Sequence, residues 1–300
     1  MTDPIISAVK KDTLSLPPFP SLDFKGEPIP PLKEAVKLGC LLQCSRPSPC
    51  YDVGVEMARF NYSNLDQRLL MRQGKLKEMM SFDEFAAIYL YTIRWCLSCN
   101  MNVRLNGDLR SEDRALSYKW KFYLHYFNSA LNKIVPVRDQ VLYRGIDVDV
   151  MKGFPQKYAV GNVFVDYSFV STSTNINVAR CFLEHGESGT LFTIRDAVAY
   201  SVSDYSYKGE DEHVILPISS FKVVSVRRDK QICHVELKHL PSKPVFTSPS
   251  PFFSSSLESG LNWKGMPITT FDDAYKGAHT LTAMHAHMQM PSYRLVSIFF

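Results

Sequence analysis

Lys208-Gly209-Glu210-Asp211-Glu212-His213-Val214-Ile215-Leu216-Pro217 sets three acids at the opening of an apolar strand. Side chains alternate along extended backbone, so Glu210 and Glu212 point to one side. Two carboxylates on one side repel each other, which costs stability unless a cation or a reaction engages them. The bland reading is an acidic, solvated loop. A solvated loop does not need to abut a buried strand, which tells against it.

Working upstream, Phe169-Val170-Ser171-Thr172-Ser173 ends another apolar run. A single strand from Val163 would put Val165, Tyr167, Phe169, Ser171 and Ser173 on one face, apolar at first and hydroxylic at its tip. A tip that leaves the core to line a cleft changes character in this way. Turn serines capping a helix near Asn177 to Glu184 are the alternative. Further upstream, Val141-Leu142-Tyr143 runs into Arg144-Gly145. The planar fork of an arginine can grip a pyrophosphate with two parallel bonds, and a following glycine lets a ligand come close to the backbone. The alternative is a surface arginine before a turn.

Around these segments the texture changes once. Helical spacing dominates from Leu65 to Leu131. Phe82, Phe85, Ala86, Tyr89 and Ile93 form an apolar stripe, with Ser81 and Glu84 placed as a capping box. A further helix reads from Tyr118 to Lys133. From Gln140 onward β-branched and aromatic runs take over: Val141 to Tyr143, Val163 to Ser171, Thr190 to Ile194, His213 to Leu216, Phe221 to Val226 and Ile232 to Leu237. Helices followed by many short strands predict an α+β fold. Seven prolines in residues 1–31 read as an extended leader, taken to residue 34. The folded unit is expected over 35–240, helical to about 135 and β-rich from 136. A Pro/Ser linker over 241–259 and an extension over 260–300 follow. In that extension Ala274, Ala278, Leu281, Met284 and Met288 have the spacing of an amphipathic helix within 269–290, which packs on the domain or docks a partner.

Composition narrows the function classes. A net charge of +4 without a dense Lys/Arg block argues against a nucleic-acid binder. No run is long enough to span a membrane, and no secretory signal opens the chain. The expectation is cytoplasmic synthesis, with a non-classical export route or effector delivery left open. Seven cysteines are an odd number, and reduced thiols are expected. Cys40, Cys44 and Cys50 read as plain thiols, with a small disulfide or metal knot as the alternative. His285 and His287 lack a third metal ligand. Neither G-x-G-x-x-G nor G-x-x-x-x-G-K-[ST] occurs, so a nucleotide would be held by another route.

The three segments in this order resemble the R-S-E class of arginine-specific mono-ADP-ribosyltransferases. Tyr143-Arg144-Gly145 looks like that family's aromatic-R-G, and Phe169 to Ser173 like its S-T-S strand. Glu210 to Pro217 with Phe221-Lys222-Val223 resembles its E-x-E-V-L-I-P…F-x-V stretch. Val202-Ser203, Tyr205-Ser206, Tyr91-Thr92 and Leu105-Asn106 match in supporting positions. The likeness covers about residues 82–237.

The resemblance implies a two-sheet NAD-binding core with an N-terminal helical subdomain. It implies NAD as co-substrate, no metal, and a protein partner with an exposed arginine. On it, Arg144 would hold the phosphates, with Gly145, Ser171, Thr172 and Ser203 beside the cofactor. Ser171 would fix the Glu212 carboxylate, and Glu212 would stabilise charge on the ribose as nicotinamide leaves. Glu210, helped by Tyr205 and Tyr207, would receive the arginine. An NAD glycohydrolase, or a non-catalytic binding module on the same scaffold, are the rival readings.

Overall fold

Helices come first and strands after in the computed structural model, which describes residues 28–40, 49–64, 80–93, 101–183, 189–207, 209 and 211–240. The helical part comprises α1 (Leu32–Cys40), α2 (Pro49–Ser63), α3 (Phe82–Thr92), α4 (Met101–Arg110), α5 (Arg114–Tyr118) and α6 (Lys121–Asn132). Leu32, Lys33 and Glu34, counted with the leader from sequence, already lie in α1, where Leu32 is buried. The linker over 241–259 and the helix within 269–290 lie outside the described residues, as do Cys44 and the side chains of Cys40 and Cys50. None of the described helices is long and apolar enough to cross a membrane.

The capping box forms as expected. Glu84 N donates to Ser81 Oγ at 3.3 Å, and Ser81 N donates to Glu84 Oε2 at 2.6 Å. Glu84 has a second task that spacing does not show. Ser129 Oγ (2.6 Å) and Lys133 Nζ (2.7 Å) reach it from α6 and the turn after it, so one carboxylate both starts α3 and ties it to its neighbour. Burial alone would raise this carboxyl, but those bonds hold it below the usual range. The helix predicted from Tyr118 to Lys133 is two: α5 ends at Tyr118 and α6 begins at Lys121, with Trp120 fully buried between them.

The β part contains β1 (Val137–Ile146), β2 (Val163–Asp166), β3 (Val170–Thr172), β4 (Gly189–Ser201), β5 (His213–Ile215), β6 (Ser219–Asp229) and β7 (Ile232–Leu240). Two short helices, α7 (Val150–Gly153) and α8 (Ile176–Arg180), interrupt it. The strands form one network in two halves. The larger half runs β2-β6-β7-β4, with β1 on the other side of β4; the smaller runs β4-β5-β3. β4 belongs to both. Its residues 189–195 run parallel to 232–238 of β7, while Tyr200 and Ser201 pair with Val214 and His213 of β5.

One expected strand breaks in two. The run from Val163 to Ser171 is β2 in the larger half and β3 in the smaller. The common face drawn from Val165 to Ser173 therefore does not exist. Phe164 is buried against Phe221, whereas Phe169 turns into the helical core against Phe127, with ring centroids 4.8 Å apart. The cause is local: Asp166 Oδ1 accepts from Ser168 N at 2.9 Å and from Ser168 Oγ at 2.6 Å. Such an Asx turn competes with the strand ladder and ends it.

α8 lies unusually close to β1. A Cβ added at Gly145 would stand 1.9 Å from the carbonyl oxygen of Ala179. The glycine is thus required by the packing of α8, in addition to its place on the cleft wall. Gly145→Ala should destabilise the fold by roughly 1–3 kcal/mol, the usual cost of overpacking a close contact. Urea unfolding of the two proteins checks this, and unchanged stability would mean that α8 can shift freely.

Candidate active site

A cleft of about 800 Å³, partly open to solvent, lies where β1, β3 and the loop before β5 meet. Arg144, Gly145, Ser171, Thr172, Tyr207 and Glu212 are among the residues that line it.

Backbone pairing sets the geometry. Tyr143 and Ser173 exchange both main-chain hydrogen bonds, at 2.8 and 2.9 Å, which closes β1 against the end of β3. Arg144, next along β1, donates from Nη1 to the Ser171 carbonyl at 3.2 Å. Ser171 in turn pairs with Val214, two residues beyond Glu212. Three residues, the outer two 68 positions apart (144 and 212), are thereby brought to one cleft. Burial, and secondarily the like charge of Arg110, pull the Arg144 guanidinium below its ordinary value; Asp166 opposes them. Arg110 itself donates to Ser168 Oγ at 3.0 Å and stands 3.9 Å from Asp166. Arg110 and Asp166 thus act on the Arg144 guanidinium with opposite sign, and Arg144 itself brings a positive charge to the cleft wall, where an anion could meet it.

The loop before β5 is held by its middle acid. Asp211 Oδ2 accepts from Ser173 Oγ (2.8 Å), Thr174 N (2.8 Å), Thr174 Oγ1 (2.6 Å) and Asn175 N (3.1 Å). Burial would raise the Asp211 carboxyl, yet these bonds and His213 lower it. Glu212 is fixed by its backbone: its N–H donates to Ser203 Oγ at 3.1 Å and its carbonyl accepts from Val202 N at 3.0 Å. Asp211 therefore ties the acidic loop to the S-T-S turn, and its two neighbours need not do so.

The expected site residues separate accordingly. Arg144, Gly145, Ser171, Thr172, Tyr207 and Glu212 meet at the cleft. Glu210 lies outside the described residues. Ser203, expected beside a cofactor, is occupied with the Glu212 backbone. Tyr205, expected to face an acceptor, is buried at the end of the short 3-10 helix Ser203–Tyr205 and belongs to the helical core; burial pushes its hydroxyl up to about 12. The Thr172 hydroxyl is turned inward onto the His213 carbonyl at 2.8 Å. Sequence reasoning assigned no role to Asp211, Arg110 or Tyr91. Tyr91 is fully buried, and its hydroxyl lies 3.2 Å from Ser171 Oγ. The available signal for Asp211 is its place as the middle acid of E-x-E, since extended backbone would turn it to the opposite side from its two neighbours.

Asp211 gives a test of the tether. A carboxyl lowered in the folded state stabilises fully above its unfolded value, about 4, and that contribution is lost as pH falls through the folded value. Asp211→Asn should therefore be less stable than the parent at pH 7, and the gap should close below about pH 4. Melting curves across that range check it; a gap independent of pH would remove the charge from the explanation.

A model of the NAD:arginine ADP-ribosyltransferase family matches residues 50–243. Among solved structures, the type III effector XopAI of Xanthomonas axonopodis pv. citri is 15% identical with a TM-score of 0.50, covering 71% of this chain and 88% of its own. The eucaryotic mono-ADP-ribosyltransferase ART2.2 is 18% identical with a TM-score of 0.49, covering 74% and 87%. The ADP-ribosyltransferase Vis of Vibrio splendidus, in complex with agmatine, is 19% identical with a TM-score of 0.46, covering 71% and 93%. No curated protein sequence matches the chain.

Proposed function

The chain belongs to the NAD:arginine ADP-ribosyltransferase family, and from that premise we propose that it transfers ADP-ribose from NAD to an arginine side chain of a protein. The observation that carries this reading is the convergence of Arg144, Ser171 and Glu212 on one cleft. Arg144 and the charge of Arg110 face the pyrophosphate; a two-pronged guanidinium contact both binds and orients it. The Glu212 carboxylate sits by the nicotinamide ribose, steadied by Ser171. As the bond from C1′ to the nicotinamide nitrogen breaks, the electron pair leaves with nicotinamide and positive charge grows on the ribose. A fixed carboxylate stabilises that charge, as in glycosidases.

The acceptor needs a second carboxylate. A guanidinium is protonated at neutral pH and a poor nucleophile. Glu210 orients it and takes its proton as nitrogen bonds to C1′. Tyr207, on the cleft wall and fastened through its N–H to Thr92 Oγ1 at 3.0 Å, is the aromatic beside the incoming protein.

Three substitutions test this. Glu212→Gln keeps shape and removes charge; it should cut both transfer and NAD hydrolysis by at least a hundredfold, the scale of losing preorganised charge stabilisation. Near-normal turnover would remove Glu212 from the reaction. Arg144→Lys keeps charge but loses the fork, so NAD titration should show weaker binding. Equal affinities would leave Arg144 a structural residue. Glu210→Gln should lose modification of agmatine while nicotinamide release to water continues. If both fall together, Glu210 belongs to bond cleavage; if neither falls, the acceptor is not arginine.

A further inference from the structure

The wall behind Ser171 is a directional chain of hydrogen bonds that begins in the helical part. Phe169 N donates to Asn106 Oδ1 at 3.0 Å, and this fixes which end of the buried Asn106 amide is oxygen. Asn106 Nδ2 must then face Tyr91, and it donates to the Tyr91 hydroxyl at 3.2 Å. That hydroxyl lies 3.2 Å from Ser171 Oγ. Tyr91 cannot swing away. It is fully buried, stacked on Phe127 at 4.9 Å and edge-on to Phe169 at 5.9 Å between ring centroids. Burial also keeps its proton in place, since it raises the phenol above its ordinary value.

With one lone pair of the Tyr91 oxygen taken by Asn106, its proton is free for Ser171. A serine that accepts at its oxygen keeps its own proton for a further acceptor, and donors aligned head to tail strengthen one another. We infer that Tyr91 is a positioning residue that aims the Ser171 hydroxyl proton at the Glu212 carboxylate. The inference rests on the reading of Glu212 given above. It adds that the helical part sets the direction of that hydrogen bond from behind the sheet.

The test is a double-mutant cycle on nicotinamide release from NAD by the full chain. Tyr91→Phe keeps the ring and removes the hydroxyl. It should lower kcat about tenfold, the worth of one well-placed hydrogen bond, with KM for NAD within about twofold. Ser171→Ala should lower kcat as well, and adding Tyr91→Phe to it should cost nothing more. Because Tyr91→Phe leaves the Asn106 amide hydrogen unsatisfied and could loosen the fold, Asn106→Asp is the second probe. Its carboxylate can still take the Phe169 N–H, but it accepts the Tyr91 proton instead of donating to Tyr91, so the chain runs backwards. It should show the same kcat loss, again absent in the Ser171→Ala background. Losses that multiply in the double mutants, or an unchanged kcat in Tyr91→Phe, overturn the inference. A parent protein that releases no nicotinamide overturns the transferase reading instead. The melting temperatures of the same proteins then decide the relay, because additive shifts for Tyr91→Phe and Ser171→Ala mean that no bond joins them.

Discussion

β4 is one strand with two allegiances, and the cleft exists because of it. Most of its length pairs with β1 and β7; its last two residues pair with β5. A strand that leaves one half of a sheet for another must bend, and the halves splay at the bend. β1 and β3 meet across the splay through the Tyr143–Ser173 pair. Arg144, Ser171 and Glu212 come to one place as a consequence of register. None of them pulls the strands together by itself. Arg144 and Ser171 stand on strands, and Glu212 stands on the loop before β5, where backbone bonds to Ser203 and Val202 hold it.

The helical part supplies what the sheet lacks. Its core is aromatic, with Phe85, Tyr89, Tyr91, Tyr123 and Phe127 packed ring to ring. The end of α3 touches the cleft twice, through Tyr91 at Ser171 and through Thr92 at Tyr207. One helix end thus contacts both the S-T-S strand and the loop that precedes the acids. Rigid rings on one side and Asp211 bonds on the other leave these two segments little freedom relative to each other.

Much of this was legible in the sequence. The α+β order and the capping box at Ser81 and Glu84 follow from patterns with a local cause, whereas the meeting of Arg144, Ser171 and Glu212, which depends on long-range register, was legible only through the resemblance of the three segments to a family. The misses have local causes too. The run from Thr190 to Ile194 is only part of β4: the strand passes through Arg195-Asp196, with Asp196 at a φ of 54°, and continues to Ser201. The Asp166–Ser168 turn splits a run whose residue types all favour strand. Tyr91 reads as one more core aromatic, since spacing reports which face a side chain takes and not what its hydroxyl meets. α1 escaped notice because it begins at Leu32, directly after Pro28, Pro30 and Pro31, whose composition reads as extended chain.

The position of β7 has a consequence in time. It is the last described strand of the chain, yet it lies between β4 and β6 rather than at an edge. Its parallel pairing with β4 joins residues 43 apart, Gly189 to Ile232, and such distant partners are slow to find. Until residues 232–240 have left the ribosome, β4 and β6 each lack the neighbour that stands between them. The bend in β4 that opens the cleft is then unsupported. A chain cut short before residue 232 lacks the strand that stands between β4 and β6, so the register that brings Arg144, Ser171 and Glu212 to one cleft has no support from that side.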